Sequence, residues 1–197
     1  AGAQMEAKIL REGFYPKGGA QAEFILHPIE KREIEILDHK KLEKLEIFSV
    51  ASAHLQKAKV AERQAEAAKK FLSEKFSAPV SVSVNYSSSE SLGSGILIVG
   101  KCENSILGAD SIGEIKVSAE EGGKRPAKDF LNEFANGAVD RHAADMLMPY
   151  MALAGMGKIQ TSEITQHILT SAELIEKFLP VKFSIDKENK IISVEKV

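Results

Sequence analysis

The sequence predicts a mixed α/β (α+β) fold on three observations. Apolar residues alternate at Val80, Val82, Val84 and Tyr86, the two-residue period of a strand with one buried face. Val60, Gln64, Ala68, Phe71, Leu72 and Phe76 recur at three- and four-residue steps, with lysines and glutamates between them, which is the stripe of an amphipathic helix. Strand and helix patterns then follow one another to the C-terminus, an order that layers sheets with helices.

Taken in chain order, residues 21–26 and 33–37 read as a strand pair, and the charged Asp-His-Lys-Lys cluster at 38–41 breaks that pattern. The helix at 57–76 is stopped by Pro79. After the strand at 80–86 comes a serine-rich loop at 87–94. The run Gly-Ile-Leu-Ile-Val at 95–99 then reads as a strand buried on both faces, closing a hairpin with its predecessor. A second helix is expected at 126–136, with Pro126 in its first turn and Gly137 at its end. A third starts at Asp140 as N-cap and runs to Gly155, bent or interrupted at Pro149. Thr170, Ser171, Ala172 and Glu173 fit a capping box that opens the last helix, with Leu174, Ile175, Phe178 and Leu179 as its apolar face. Residues 181–185 and 191–197 close the chain as two strands. Boundaries at 38–42 and near Gly137 divide the chain into a core, 1–38 with 138–197, and an inserted smaller α/β domain, 39–137.

Composition excludes several classes. With 44% hydrophobic and 27% charged residues in 197, the chain has enough apolar surface to offset the entropy of ordering, so it is neither disordered nor fibrous. Lys+Arg number 26 against 28 Asp+Glu, so contact with nucleic acid is expected to be short and local. The near-apolar run 146–156 is shorter than the roughly 18 residues of a membrane span, and Pro149 interrupts it. A single cysteine, Cys102, forms no internal disulfide and fits a reducing compartment, here taken as the cytoplasm, with the thiol buried. The chain opens at Ala1 without methionine, in mid-element, and is expected to be a fragment.

Of the five histidines, His27, His39 and His54 stand in no motif and read as surface residues. His142 and Asp145 share a helix face, as half of a metal site or as a polar edge pair. His167 precedes the capping Thr170 by three residues, close to the positive end of the last helix. It reads as a nucleophile or base beside a bound phosphate, or as a structural histidine. Gly13-Phe-Tyr-Pro-Lys-Gly-Gly19 is not a phosphate loop, because Gly19 and Ala20 stand where Lys and Ser/Thr are needed. It reads as a tight connection, with Arg11 and Lys17 keeping a minor claim on an anion.

Three segments, taken together, resemble a known family: Arg11-Glu-Gly-Phe-Tyr-Pro-Lys-Gly-Gly19, the run 139–155 around His142-Ala-Ala-Asp-Met146, and Thr165-Gln-His-Ile-Leu-Thr170 with 176–179. They resemble RNA 3′-terminal phosphate cyclases, in the family's order and across nearly the whole chain. The resemblance implies repeated strand–helix units like the C-terminal domain of a translation initiation factor, with a smaller α/β domain inserted. It implies a ligase that takes AMP from ATP onto His167 and passes it to an RNA 3′-phosphate. The neighbouring 2′-hydroxyl then closes a 2′,3′-cyclic phosphate and releases AMP. His142, Ala143, Ala144, Asp145 and Met146 match the family's ATP-binding motif, usually His-Leu-Ala-Asp-Gln. Met146 therefore replaces a glutamine and Ala143 a leucine, while Ala20 replaces a glycine and Ser171 an asparagine.

The implied cofactors are ATP and a divalent cation, Mg or Mn, with no metal ligand assigned. The implied partners are an RNA 3′ end and ATP, with no membrane; self-association into a homo-oligomer is left open. The family's glycine-rich N-terminal segment has no counterpart here, so this chain alone is expected to be inactive. The rival reading is a cyclase-like protein that binds RNA in ribosome assembly without adenylylation, a branch that lacks the nucleophilic histidine. An enolpyruvyl-type transferase is more remote, since none of its phosphate-binding signatures is present.

Overall fold

A computed structural model describes residues 4–27, 30 and 32–197, so the expected mid-element opening at Ala1 lies outside the described residues. The mixed α/β class holds: among the described residues ten strands form three sheets, accompanied by four α-helices. β1 (Gln4–Arg11) and β2 (Gln21–His27) form an antiparallel hairpin, turned by Gly18 and Gly19 at φ 64° and 80°. This corrects the expected pairing of 21–26 with 33–37: the glycine turn brings β1 to β2 first. β3 (Ile34–Ile36) instead runs parallel to a strand far along the chain.

β4 (Leu42–Ser52), not anticipated as a strand, is the centre of a four-stranded sheet. A short 3-10 turn and Lys59, in the left-handed region, lead into α1 (Val60–Lys75). α1 carries the chain across to β5 (Val80–Ser87), which lies parallel to β4. β6 (Ser94–Cys102) pairs with the other edge of β4, and β7 (Ile106–Ile112) pairs with β6. The expected 80–99 hairpin is therefore wrong. A helical crossover makes its first strand parallel to β4, and β4 comes to lie between the two candidates. Nor is β6 buried on both faces: Ile96 and Ile98 face the helices, while Leu97 on the other side is 42% exposed.

α2 (Ala119–Asn136) starts seven residues before the expected 126. Ser118 caps it by accepting from the N–H of Glu121, and Pro126 is tolerated inside. Gly122 and Gly123 disguise this first turn in the sequence, yet close packing requires them: a Cβ on Gly123 would overlap the backbone carbonyl of Gln64 on α1. In an exposed helix Gly→Ala stabilises by about 1 kcal/mol. Here Gly123→Ala is expected to destabilise by about 1–3 kcal/mol, because two helix backbones must separate; a lowered urea midpoint checks it. The core under these helices joins Leu45, Ile47, Leu72, Ile98, Leu107 and Phe130. Cys102 is free and buried there, as expected, and burial pushes its thiol up to about 11.

A second core gathers Ile34, Val139, Met148, Met151, Ile159, Ile168, Phe183 and Ile192. α3 (Arg141–Ala154) begins at its Asp140 cap and ends at Gly155, φ 78°, as read from the sequence, but Pro149 does not interrupt it: the helix continues through it to Ala154. The chain turns directly into β8 (Met156–Gln160), then α4 (Gln166–Phe178), β9 (Val181–Asp186) and β10 (Ile191–Lys196). β8 takes β3 as a parallel neighbour and β10 as an antiparallel one, and β9 pairs antiparallel with β10, giving the order β3-β8-β10-β9. α4 corrects the expected capping box. Thr165 is the N-cap, its hydroxyl oxygen accepting from Ile168, whereas Thr170 lies inside the helix and donates to the Gln166 carbonyl at 2.9 Å. The buried stripe of Ile168 and Ala172 begins before the box, which is why the helix does too. Among the described residues no helix is long and apolar enough to cross a membrane.

Candidate active site

The connections around β8 set two helices side by side. α3 returns through Gly155 into β8, and α4 crosses from β8 to β9, which runs parallel to β8 because each is antiparallel to β10. Both helices therefore run opposite to β8, and their amino ends lie at the same edge of the sheet. Their alignment is pinned by the Ser171 hydroxyl, which donates to Asp145 at 2.8 Å. Asp145 is five residues into α3 and Ser171 six into α4. One turn back on the same faces stand His142 and His167, each the second residue of its helix and each exposed. His167 is thus within the first turn of α4, rather than upstream of its cap.

The two amino ends differ in charge. At α3 the N–H of Arg141 donates to Glu133 at 3.1 Å, and those of His142 and Ala143 donate to Asp140 at 3.1 and 2.8 Å. Two carboxylates already satisfy that end and oppose its dipole. At α4 the cap is the neutral hydroxyl of Thr165, 3.3 Å from the Ile168 N–H, and among the described residues no carboxylate bonds the first turn. A phosphate is accordingly favoured at α4, beside His167, and disfavoured at α3.

The remaining motif residues fall into place by exposure. Met146, 71% exposed, sits one turn beyond His142 on the outer face of α3. Ala143 is half-buried against the core, and Ala144 is fully buried within it, so Ala144 turns its methyl group inward. Among the described residues no cluster of three or more His, Cys, Asp or Glu forms a metal site. His39 is not free at the surface: its ring stacks on Phe134 with centroids 4.1 Å apart, and its Nε2 lies 3.0 Å from the Phe134 carbonyl oxygen.

The glycine-rich connection is held internally. The Arg11 Nε–H donates to the Gly19 carbonyl at 2.6 Å, and Gly18 N–H donates to Phe14 at 2.8 Å. Lys17 faces Glu90 at 3.7 Å. The anion role considered for Arg11 and Lys17 thus competes with contacts that shape the turn itself.

Residues outside any motif complete the surroundings. Asp140 is buried, and its second oxygen accepts from the Gly108 N–H of β7 at 3.0 Å, so one side chain caps α3 and ties it to the other sheet. Glu133 of α2 bonds Arg141 and the Ser162 hydroxyl. In the sequence Asp140 is legible only as a cap, and Glu133 and Ser162 carry no signal, because their partners are remote in sequence and no local period reveals them.

Against known proteins, the family described as RNA 3′-terminal phosphate cyclase matches residues 1–185. An RNA 3′-terminal phosphate cyclase of Thermococcus kodakarensis is 37% identical over 190 residues, 95% of this chain and 54% of that relative. One of Pyrococcus abyssi is 38% identical over 183 residues, 92% of this chain and 52% of the relative. One of Methanosarcina barkeri is 37% identical over 184 residues, 92% and 53% respectively. The chain spans about half the length of the curated relatives it matches.

Proposed function

Because the chain belongs to the RNA 3′-terminal phosphate cyclase family, we propose that its protein uses ATP to convert an RNA 3′-terminal phosphate into a 2′,3′-cyclic phosphate, with His167 carrying AMP between the two. The observation that supports this reading is the exposed imidazole of His167 in the first turn of a helix capped by a neutral threonine, aligned with the 142–146 segment on the neighbouring helix.

In this reading His167 Nε2 attacks the α-phosphorus of ATP. An N–P bond forms, the bond to the β-phosphate bridge breaks, and pyrophosphate leaves. The partial positive charge at the amino end of α4 favours the phosphoryl oxygens as they reorganise. An oxygen of the RNA 3′-phosphate then displaces His167 from the AMP, breaking the N–P bond and restoring the imidazole. The 2′-hydroxyl oxygen attacks the activated 3′-phosphorus and gives up its proton to water, the bond from that phosphorus to the AMP oxygen breaks, and AMP departs as the ring closes. His142 packs against the adenine and Asp145, already oriented by Ser171, meets polar groups of the nucleotide. A divalent ion, Mg or Mn, would shield the triphosphate charge. Among the described residues no cluster of three or more His, Cys, Asp or Glu would hold it. The single, buried thiol of Cys102 supports a cytoplasmic setting.

A second reading, an RNA-binding assembly protein without adenylylation, draws on Met146, whose exposed thioether stands where the family's glutamine would offer an amide. Incubating the protein at its native length with ATP labelled at the α-phosphate divides the two. Acid-labile label on the protein, and a cyclic end on an RNA carrying a 3′-phosphate, support the cyclase. Absence of both from well-folded protein supports the assembly role.

A further inference from the structure

The proposed transfer needs one nucleotide to be held by groups on two helices, α3 with its 142–146 segment and α4 with His167. One side chain bonds to the approach of both. Glu133, on α2 and 3% exposed, accepts through Oε2 from the Arg141 N–H, the first of α3, at 3.1 Å, and from the hydroxyl of Ser162. Its Oε1 faces the Arg141 guanidinium at 3.4 Å. Ser162 lies in the loop that leads from β8 into α4, and its N–H donates to Val139 just before α3, at 3.2 Å.

Packing alone does not explain a carboxylate in that position. Burying one is costly unless partners satisfy it, and an apolar side chain of similar volume often serves stability as well or better. What a carboxylate adds is direction, since Oε2 accepts from both the Arg141 N–H and the Ser162 hydroxyl while Oε1 holds the Arg141 guanidinium. Gly137 allows this geometry, because a Cβ there would overlap the backbone of Ser162.

We propose that Glu133 is a positioning residue for nucleotidyl transfer: by holding the first residue of α3 and the loop before α4 together, it sets the approach of His167 to the α-phosphate of ATP. This rests on the reading of His167 as the nucleophile. Releasing the bond loosens the loop before α4, and with it His167 in the first turn, ahead of the Ser171–Asp145 bond that pins the helices further along, and an error of about 1 Å in a reacting pair costs up to about 100-fold in rate. Nucleotide binding, which draws on side chains of α3 that stay in place, changes little.

The test is the rate of protein labelling from α-labelled ATP in Glu133→Gln, Ser162→Ala and the double variant, made at native length, with thermal melting alongside. Glu133→Gln is expected to lower the rate at saturating ATP at least about tenfold, with the half-saturating ATP concentration and the melting temperature near those of wild type. Ser162→Ala, which removes only a hydroxyl, is expected to fall in the same direction, and the double variant to fall no further than the worse single one. Wild-type labelling by Glu133→Gln, a loss that appears only in half-saturation, or losses that multiply in the double variant would each overturn the proposal. If Glu133→Gln fails to fold, Ser162→Ala decides: a slowed rate at normal melting supports the proposal, and a wild-type rate overturns it. Unlabelled wild-type protein would overturn the His167 reading, and with it this one.

Discussion

Replacing His167 with alanine is expected to reduce formation of protein-bound AMP by more than about 1,000-fold, since a nucleophile has no substitute in the step it performs. The fold should register little of this change. His167 is exposed, and α4 is started by Thr165 and anchored by Ile168, neither of which the substitution touches. Surface changes of this kind cost within about 0.5 kcal/mol. Quantifying acid-labile label on wild type and His167→Ala, together with their melting curves, checks both halves of the expectation. Equal labelling of the two proteins would remove His167 from the mechanism. His142→Ala offers a contrast: as a group that packs against the nucleotide, it should weaken ATP binding more than it slows the step at saturation.

The largest loss of stability is expected from Asp140→Ala. One oxygen of Asp140 caps two N–H groups of α3, and such a cap is worth about 0.5–2 kcal/mol. The other accepts from Gly108, and leaving that N–H without a partner costs about a further 1–3 kcal/mol. The total, about 1.5–5 kcal/mol, should lower the urea midpoint by about 0.5 M or more. Asp140→Asn keeps an acceptor for the cap and should lose less than half as much. A midpoint for Asp140→Ala equal to that of wild type would show that neither bond contributes.

Local chemistry made some of this fold readable. Asp140 and Gly155 bracket α3 because a cap carboxylate and a left-handed glycine act on their own neighbours. β9 and β10 were legible because the polar run 187–190 separates two short apolar alternations. What escaped was set at long range. β4 intersperses lysines and glutamates among its leucines, and its identity as the central strand depends on partners on both sides. The two glycines of α2 contradict helix propensity for the sake of Gln64, which is far away in sequence. Thr170 offered a better capping pattern than Thr165, but the buried face of α4 begins at Ile168 and decided the start. The same division runs through the site. His167, His142 and Asp145 could be picked out from residue order and resemblance, whereas the carboxylate joining their helices belongs to α2 and has no signature in its own segment.

The stack of His39 on Phe134 has a bearing on how the chain folds. Ile34 must find Gly157 to seat β3 beside β8, with the whole β4–α2 segment intervening. In an unstructured chain that search closes a long loop, and its entropic cost grows with the logarithm of the loop's length. The β4–α2 segment contains its own sheet, helices and core. Once folded, it presents its entrance at His39 against its exit at Phe134, so the intervening segment acts as a clasp. The effective loop shrinks to the short stretch from Ile34 to His39 and the stretch from Phe134 through α3 to Gly157, which lowers the entropic cost of pairing β3 with β8.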